Sequence, residues 1–181
     1  VIVSRNDNYG GQLNKRAQYC LNAMLGTFDE VIYVDWNSPG GRPLTDDIQI
    51  TVHPERLKVI VVTPEKAREL MGDEGYEKGQ KCCEVLARNV GIRRATGDIV
   101  VSTNIDIIPP KRAHLDELLI QLSPKSMISL AKHDITVDLL EKLPEPYQNT
   151  IPMAVGLNSL NNRLIIPCNL MTKDMITRIP D

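Results

Sequence analysis

The chain has 181 residues and a formal net charge of −2, room for one domain with a substantial core and too little for two. Charged residues make up 24% and aromatics 4%, so neither the electrostatic footprint of a nucleic-acid binder nor a base-stacking platform is present. No stretch of about 18 apolar residues occurs, and no membrane span is encoded.

Val1-Ile2-Val3 reads as a first strand. No signal peptide precedes it, and a chain that starts inside a strand-like run reads as a fragment or a trimmed piece. Ser4-Arg5-Asn6-Asp7-Asn8 follows, and Gly10-Gly11 opens a turn. Leu13, Ala17, Cys20, Leu21 and Met24 then recur at helical spacing, which predicts an amphipathic helix ended by Gly26. Val31 to Val34 is the second strand, completing a βαβ unit whose crossover is right-handed. Asp35-Trp36-Asn37-Ser38 leaves that strand. The glycine-rich stretch from Gly40 to Thr45 comes after the second strand rather than the first, so it reads as a connecting loop.

Lys58 to Val62 is a third, β-branched strand. Thr63 caps the next helix, with Pro64 at its first position and Glu65 at its positive end. Ala67, Leu70 and Met71 make that helix short, Gly72 stops it, and an acidic loop runs on to Gly79. Cys83, Leu86, Ala87 and Val90 recur at i, i+3, i+4 and i+7, the apolar stripe of another helix. Thr96-Gly97-Asp98 breaks it, and Ile99-Val100-Val101 is short and β-branched, as a buried strand is. Asn104, Ile105 and Asp106 stand at the carboxyl end of that strand, closed off by Pro109-Pro110. A carboxylate leaving a buried parallel strand sits where open α/β sheets bind ligands.

Beyond Pro110, Leu115, Leu118, Leu119 and Leu122 predict a helix, and Met127 to Leu130 a strand. Thr136 can cap a helix carrying Val137, Leu140 and Leu143; a loop-rich stretch follows, then a strand at Leu164-Ile165-Ile166. Cys168 to Met175 reads as a small apolar strand followed by a short helix. The cysteines, Cys20, Cys82, Cys83 and Cys168, lack metal-binding spacing and read as reduced core thiols. With no N-x-S/T acceptor either, the expected setting is reducing and cytoplasmic.

The stretch from Ala87 to Pro110, ARNVGIRRATGDIVVSTNIDIIPP, resembles the metal-binding segment of GT-A glycosyltransferases, especially the family 2-like ones: A-R-N-x-G-x-x-x-A-x-G-D, hydrophobic residues, then the DXD motif. Here the motif is Asn104-Ile105-Asp106, with Asn in place of the first Asp. The resemblance implies a GT-A fold over residues 1–181: a mixed, mostly parallel, Rossmann-like sheet flanked by helices. The nucleotide part would cover about residues 1–110 and an acceptor part, expected to be cut short at the C-terminus, the remainder. It implies a nucleotide-sugar donor, UDP expected, and an acceptor hydroxyl on a glycan, protein or lipid.

The resemblance also implies Mn²⁺ or Mg²⁺ bridging the diphosphate, held by Asp106 with Asn104 contributing weakly or through water. Hard oxygen ligands suit either ion. Nucleotide-sugar contacts are expected at Ser4, Arg5, Asp7, Asp35, Arg88, Asn104 and Ile105. For several of these a plainer account stands beside the ligand. Arg5 is either a forked donor to phosphate or a solvated loop arginine. Asp35 is either a base or ribose contact or a turn residue. Arg88 is either a nucleotide contact or the partner of Glu84 four residues before it. For the general base, Asp134, Asp174 and Asp181 are available, and Asp181 is nearest the family position. His114 and His133 read as helix-surface and loop residues. Two other readings remain: a sugar-nucleotide pyrophosphorylase on a related fold, and a nucleotide-sugar-binding module in which the Asn104 change has removed catalysis. A plain Rossmann oxidoreductase would need G-x-G-x-x-G after the first strand, which is absent.

Overall fold

A computed structural model describes residues 1–78, 81–123, 126–130, 132–138, 154–158 and 168–172. Strand β1 (Ile2–Ser4), helix α1 (Leu13–Thr27) and strand β2 (Val31–Trp36) form the predicted βαβ unit, and β3 (Leu57–Val62) extends the sheet outward. Helix α2 (Pro64–Glu77) and helix α3 (Glu84–Ile92) lead to β4 (Ile99–Asn104), which returns to the far side of β1. Then come β5 (Ile107–Ile108), α4 (Arg112–Leu119), β6 (Met127–Leu130), β7 (Lys132–Thr136), β8 (Ala154–Asn158) and β9 (Cys168–Thr172). The main sheet has six strands in the order β3-β2-β1-β4-β9-β6, and a smaller sheet has the order β5-β8-β7. The four strands from β3 to β4 are parallel, while β9 runs antiparallel to both β4 and β6. This is a mixed α/β fold with a mostly parallel central sheet flanked by helices.

The period-2 alternation of strands decides which helix covers which face. Val31 and Tyr33 of β2 pack on α1 with Leu13, Ala17, Cys20, Leu21 and Met24. Ile32, Val34 and Trp36 point the other way and pack with Ala67 of α2 and with Ala87 and Ile92 of α3. Covered on both faces, β2 is buried along its whole length.

Several predicted boundaries move. Helix α1 runs one residue past Gly26, and Phe28 caps it by donating its N–H to the Met24 carbonyl. Strand β2 continues through Asp35 and Trp36, which pair in register with Val61 and Val62. Gly72 interrupts α2 as expected, with φ 71°, but a second helical piece follows it to Glu77 where an acidic loop was expected. Thr136 is the last residue of strand β7, and Val137 and Asp138 directly after it are helical, where a capped helix was expected. The Thr63 cap is present, its hydroxyl accepting from the Lys66 N–H at 3.3 Å. The predicted strand at Leu164-Ile165-Ile166 and the candidate bases Asp174 and Asp181 lie outside the described residues.

Candidate functional site

Strand order places the switch point of the sheet between β1 and β4. From β1 the chain winds outward through β2 and β3, then crosses back to add β4 on the opposite side. The loops after β1 and β4 therefore diverge at their carboxyl ends and leave a crevice, the usual ligand site of open α/β sheets. Arg5 and Asp7 follow β1; Asn104 ends β4, and Ile105 and Asp106 follow it.

A buried polar chain holds the β1 and β2 ends of this edge. Ser4 Oγ meets Tyr33 Oη at 3.0 Å, and Tyr33 Oη donates to Asp35 Oδ1 at 2.8 Å. Ser38 Oγ donates to the same oxygen at 2.7 Å and accepts the Asn6 N–H at 2.8 Å. Burial raises the Asp35 carboxyl above its ordinary value, and the bonds from Ser38 and Tyr33 offset only part of that effect. Burial also pushes the Tyr33 hydroxyl upward, so it stays protonated and acts as a donor. Ser4 and Asp35 thus lie within the edge, with Asp35 fully buried and its Oδ2 without a hydrogen-bond partner among the described residues.

Asn37 is the second fastening. It sits at φ 56°, a left-handed conformation that Asn tolerates better than most residues. Its Nδ2 donates to the Lys81 carbonyl at 2.9 Å and its Oδ1 accepts from Tyr76 Oη at 3.0 Å. Its own carbonyl receives Arg5 Nε at 2.6 Å. Arg5 Nη1 also pairs with Asp7 Oδ2 at 3.1 Å, so the Arg5 guanidinium is aimed along the crevice wall rather than free in solvent.

On the β4 side, Arg88 of α3 clamps the strand end. Its Nη1 donates to Ser102 Oγ at 2.9 Å and to the Thr103 carbonyl at 2.8 Å, and its Nη2 to Asn104 Oδ1 at 2.5 Å. The Glu84 pair is present as well, at 3.1 Å. Ile105 turns inward and joins the core cluster under α1.

Asp106, half-buried, meets Arg16 Nη1 at 2.7 Å. Arg16 lies on α1 with its side chain only 3% exposed. Its Nε donates to the Gly11 carbonyl at 3.0 Å and its Nη2 to the Tyr9 carbonyl. The turn from Asn8 to Gln12 is shaped for this purpose. Gly10 has φ 70°, and a Cβ there would lie 3.0 Å from Arg16 Nη2. Glycine alone fits both the backbone conformation and the guanidinium. In sequence, Arg16 carries one cue, a charge beside the apolar stripe of α1.

Among the described residues, no group of three or more His, Cys, Asp or Glu side chains converges as a metal site. His114 lies on α4, away from β4's carboxyl end, and His133 and Asp134 belong to β7. Cys20, Cys82 and Cys83 are free. Burial first, then Glu84 and Asp7, pushes the Cys82 thiol up to about 12, which leaves it a poor nucleophile. A cavity of about 390 Å³ opens at the opposite, amino edge of the sheet, lined by Phe28, Glu30, Ile99 and Leu115 among others. It is remote from the switch point, and the converging polar groups are at the carboxyl edge. No described helix is long and apolar enough to cross a membrane.

No protein-family model matches the chain, and no curated protein matches it. Among solved structures, it is similar to the mannosyltransferase PcManGT from Pyrobaculum calidifontis, solved in complex with GDP-Man and Mn²⁺, at 20% identity and a TM-score of 0.42. The match covers 75% of this chain and 34% of that enzyme, so the chain spans about a third of the mannosyltransferase's length. The likeness is distant and concerns the broad fold.

Proposed function

We propose that the chain binds a nucleotide-diphosphate sugar, UDP-sugar expected, at the carboxyl edge of its sheet and transfers the sugar to an acceptor hydroxyl with inversion. The observation that supports this reading is the gathering of Arg5, Asp7, Arg88, Asn104 and Asp106 around one switch-point crevice, from segments that resemble the donor-binding parts of GT-A enzymes. In this reading Arg5 faces the diphosphate as a donor, and Arg88, its terminal nitrogens engaged by Ser102, Thr103, Asn104 and Glu84, holds the end of β4 in place. The Ser4–Tyr33–Asp35–Ser38 chain fixes the loop that carries Asn6 and Arg5. As the acceptor oxygen attacks the anomeric carbon, the bond to the diphosphate breaks and negative charge builds on the leaving oxygens. The fixed Arg5 guanidinium stabilises that charge without reorganising. Asp181 is the proposed base for the acceptor proton.

The divalent ion implied by the resemblance, Mn²⁺ or Mg²⁺, would neutralise the diphosphate when bound. The side chains present do not fit it as they stand. Asp106 has an oxygen committed to Arg16, Asn104 has its amide oxygen committed to Arg88, and no third ligating side chain joins them among the described residues. The same engagement of Asn104 and Asp106 favours the second reading, a module that binds the nucleotide-sugar without turnover.

Calorimetry with UDP, GDP and their sugars, followed by transfer assays with labelled donors, tests both. Binding with sugar transfer supports the transferase. Binding without transfer to any acceptor, and without donor hydrolysis, supports the module. Failure of every nucleotide diphosphate to bind overturns both.

A further inference from the structure

We propose that Arg16 supplies, from inside the fold, the positive charge that a divalent cation would otherwise bring to Asp106, so that the free protein does not hold such a cation there. Three observations converge on this role. The guanidinium is locked in place by the Tyr9 and Gly11 carbonyls as well as by Asp106, and it is almost wholly buried. The Asn8–Gln12 turn is built around it, with Gly10 at a left-handed φ and no room for a side chain against Nη2. The neighbouring oxygen of Asn104 is likewise taken by a guanidinium, that of Arg88. A divalent ion on Asp106 would share its carboxylate with a fixed positive charge. Arg16 cannot swing away without leaving two carbonyls and a carboxylate short of a donor.

Arg16 is thus a positioning residue. It holds Asp106 across the crevice, ties the β1 loop to the β4 loop, and removes the electrostatic demand for a metal. Resting on the donor-site reading, the inference extends to the ligand: the diphosphate is met by Arg5 directly and does not need a metal bridge.

The test has two arms. In the first, MnCl₂ is titrated into the protein alone and free Mn²⁺ is followed by electron paramagnetic resonance. Wild type is expected to leave the signal unchanged. Arg16→Gln should bind Mn²⁺ and lower the free-ion signal where wild type does not, and Arg16→Gln with Asp106→Asn should lose that binding again; a folded Arg16→Gln that leaves the signal unchanged overturns the role given to Arg16. Wild-type binding that Asp106→Asn abolishes overturns the proposal, and this comparison stands even if Arg16→Gln fails to fold. In the second arm, UDP and GDP are titrated with EDTA or with Mn²⁺. Affinities within about threefold of one another, under 1 kcal/mol, are expected. A strict need for Mn²⁺ overturns the inference and leaves the donor-site reading intact. Absence of nucleotide binding in both buffers overturns the donor-site reading, and the first arm still decides the role of Arg16.

Discussion

Replacing Tyr33 with Phe removes one oxygen from the middle of the Ser4–Tyr33–Asp35–Ser38 chain. Tyr33 is fully buried, so water cannot take the place of the hydroxyl. Asp35 Oδ1 keeps only the Ser38 bond, and Ser4 Oγ loses its partner. Leaving a buried acceptor short of a donor costs about 1–3 kcal/mol. A loss of about 2 kcal/mol lowers Tm by roughly 4–8 °C in a chain of this size. The penalty should also depend on pH. The Asp35 carboxyl is already raised by burial, and loss of a donor raises it further. A group raised in the folded state contributes stability below its unfolded value and loses that contribution as pH rises through the folded value. The difference between variant and wild type is therefore smallest at pH well below the ordinary carboxyl value, where Asp35 is protonated in both, and grows as pH rises through the folded values. Urea denaturation of both proteins across that range measures it, and subtracting wild type cancels the other titrating groups. A penalty that is flat with pH, or that grows on acidification, refutes the account of Asp35 as a strained, buried carboxylate.

Other substitutions probe the remaining fastenings. Gly91→Ala would place a Cβ 2.5 Å from Val1 Cγ1 and 3.1 Å from Val34 Cγ2, so overpacking of about 1–3 kcal/mol should outweigh the roughly 1 kcal/mol gained in helix propensity. A Gly91→Ala protein that melts higher than wild type would rule out that close approach. Arg88→Ala should cost about 1–3 kcal/mol by freeing Ser102, the Thr103 carbonyl and Asn104, whereas Glu84→Gln should stay within about 0.5 kcal/mol because that pair is largely exposed. Equal effects in thermal denaturation would reduce Arg88 to a surface ion pair. Asn37→Ala should destabilise by about 2–4 kcal/mol, losing two side-chain bonds and placing Ala at positive φ, and Asn37→Gly should recover the backbone share of about 1 kcal/mol. If the two variants unfold at the same urea concentration, the left-handed backbone carries no cost.

The parallel half of the fold was legible because its signals are local. The α1 stripe, the Thr63-Pro64 cap and the β-branched runs each specify an element without outside help. Strand ends were misread where a tertiary contact overrules a local preference. Asp35 reads as a turn residue on propensity, yet β3 pairs with it and Ser38 and Tyr33 bond its carboxylate, so the strand carries on. Gly72 does break the helix, but Tyr76 of the second helical piece reaches back to Asn37, a contact 39 residues away in sequence. Arg16 was illegible for the same reason on a larger scale, since Asp106 lies 90 residues downstream.

The A-R-N-x-G-x-x-x-A pattern shows how packing and function overlap in one signal. Ala87 and Ala95 are small because they sit in the core shared by α3 and the sheet, and Gly91 is bare because the helix crosses against Val1 and Val34. Arg88 is long because it must reach from the helix to the end of β4. All of these are demands of seating one helix against the parallel strands of the sheet, and they would hold with no ligand in the crevice. What they accomplish is to bring Asn104 and Asp106 to the switch point in a fixed register. The pattern therefore argues strongly for the geometry of the edge and only indirectly for the chemistry there. The chemical evidence rests on the few side chains whose charge packing does not require: Arg5, Asp7 and Asp106, and Arg16, which answers Asp106 from the interior.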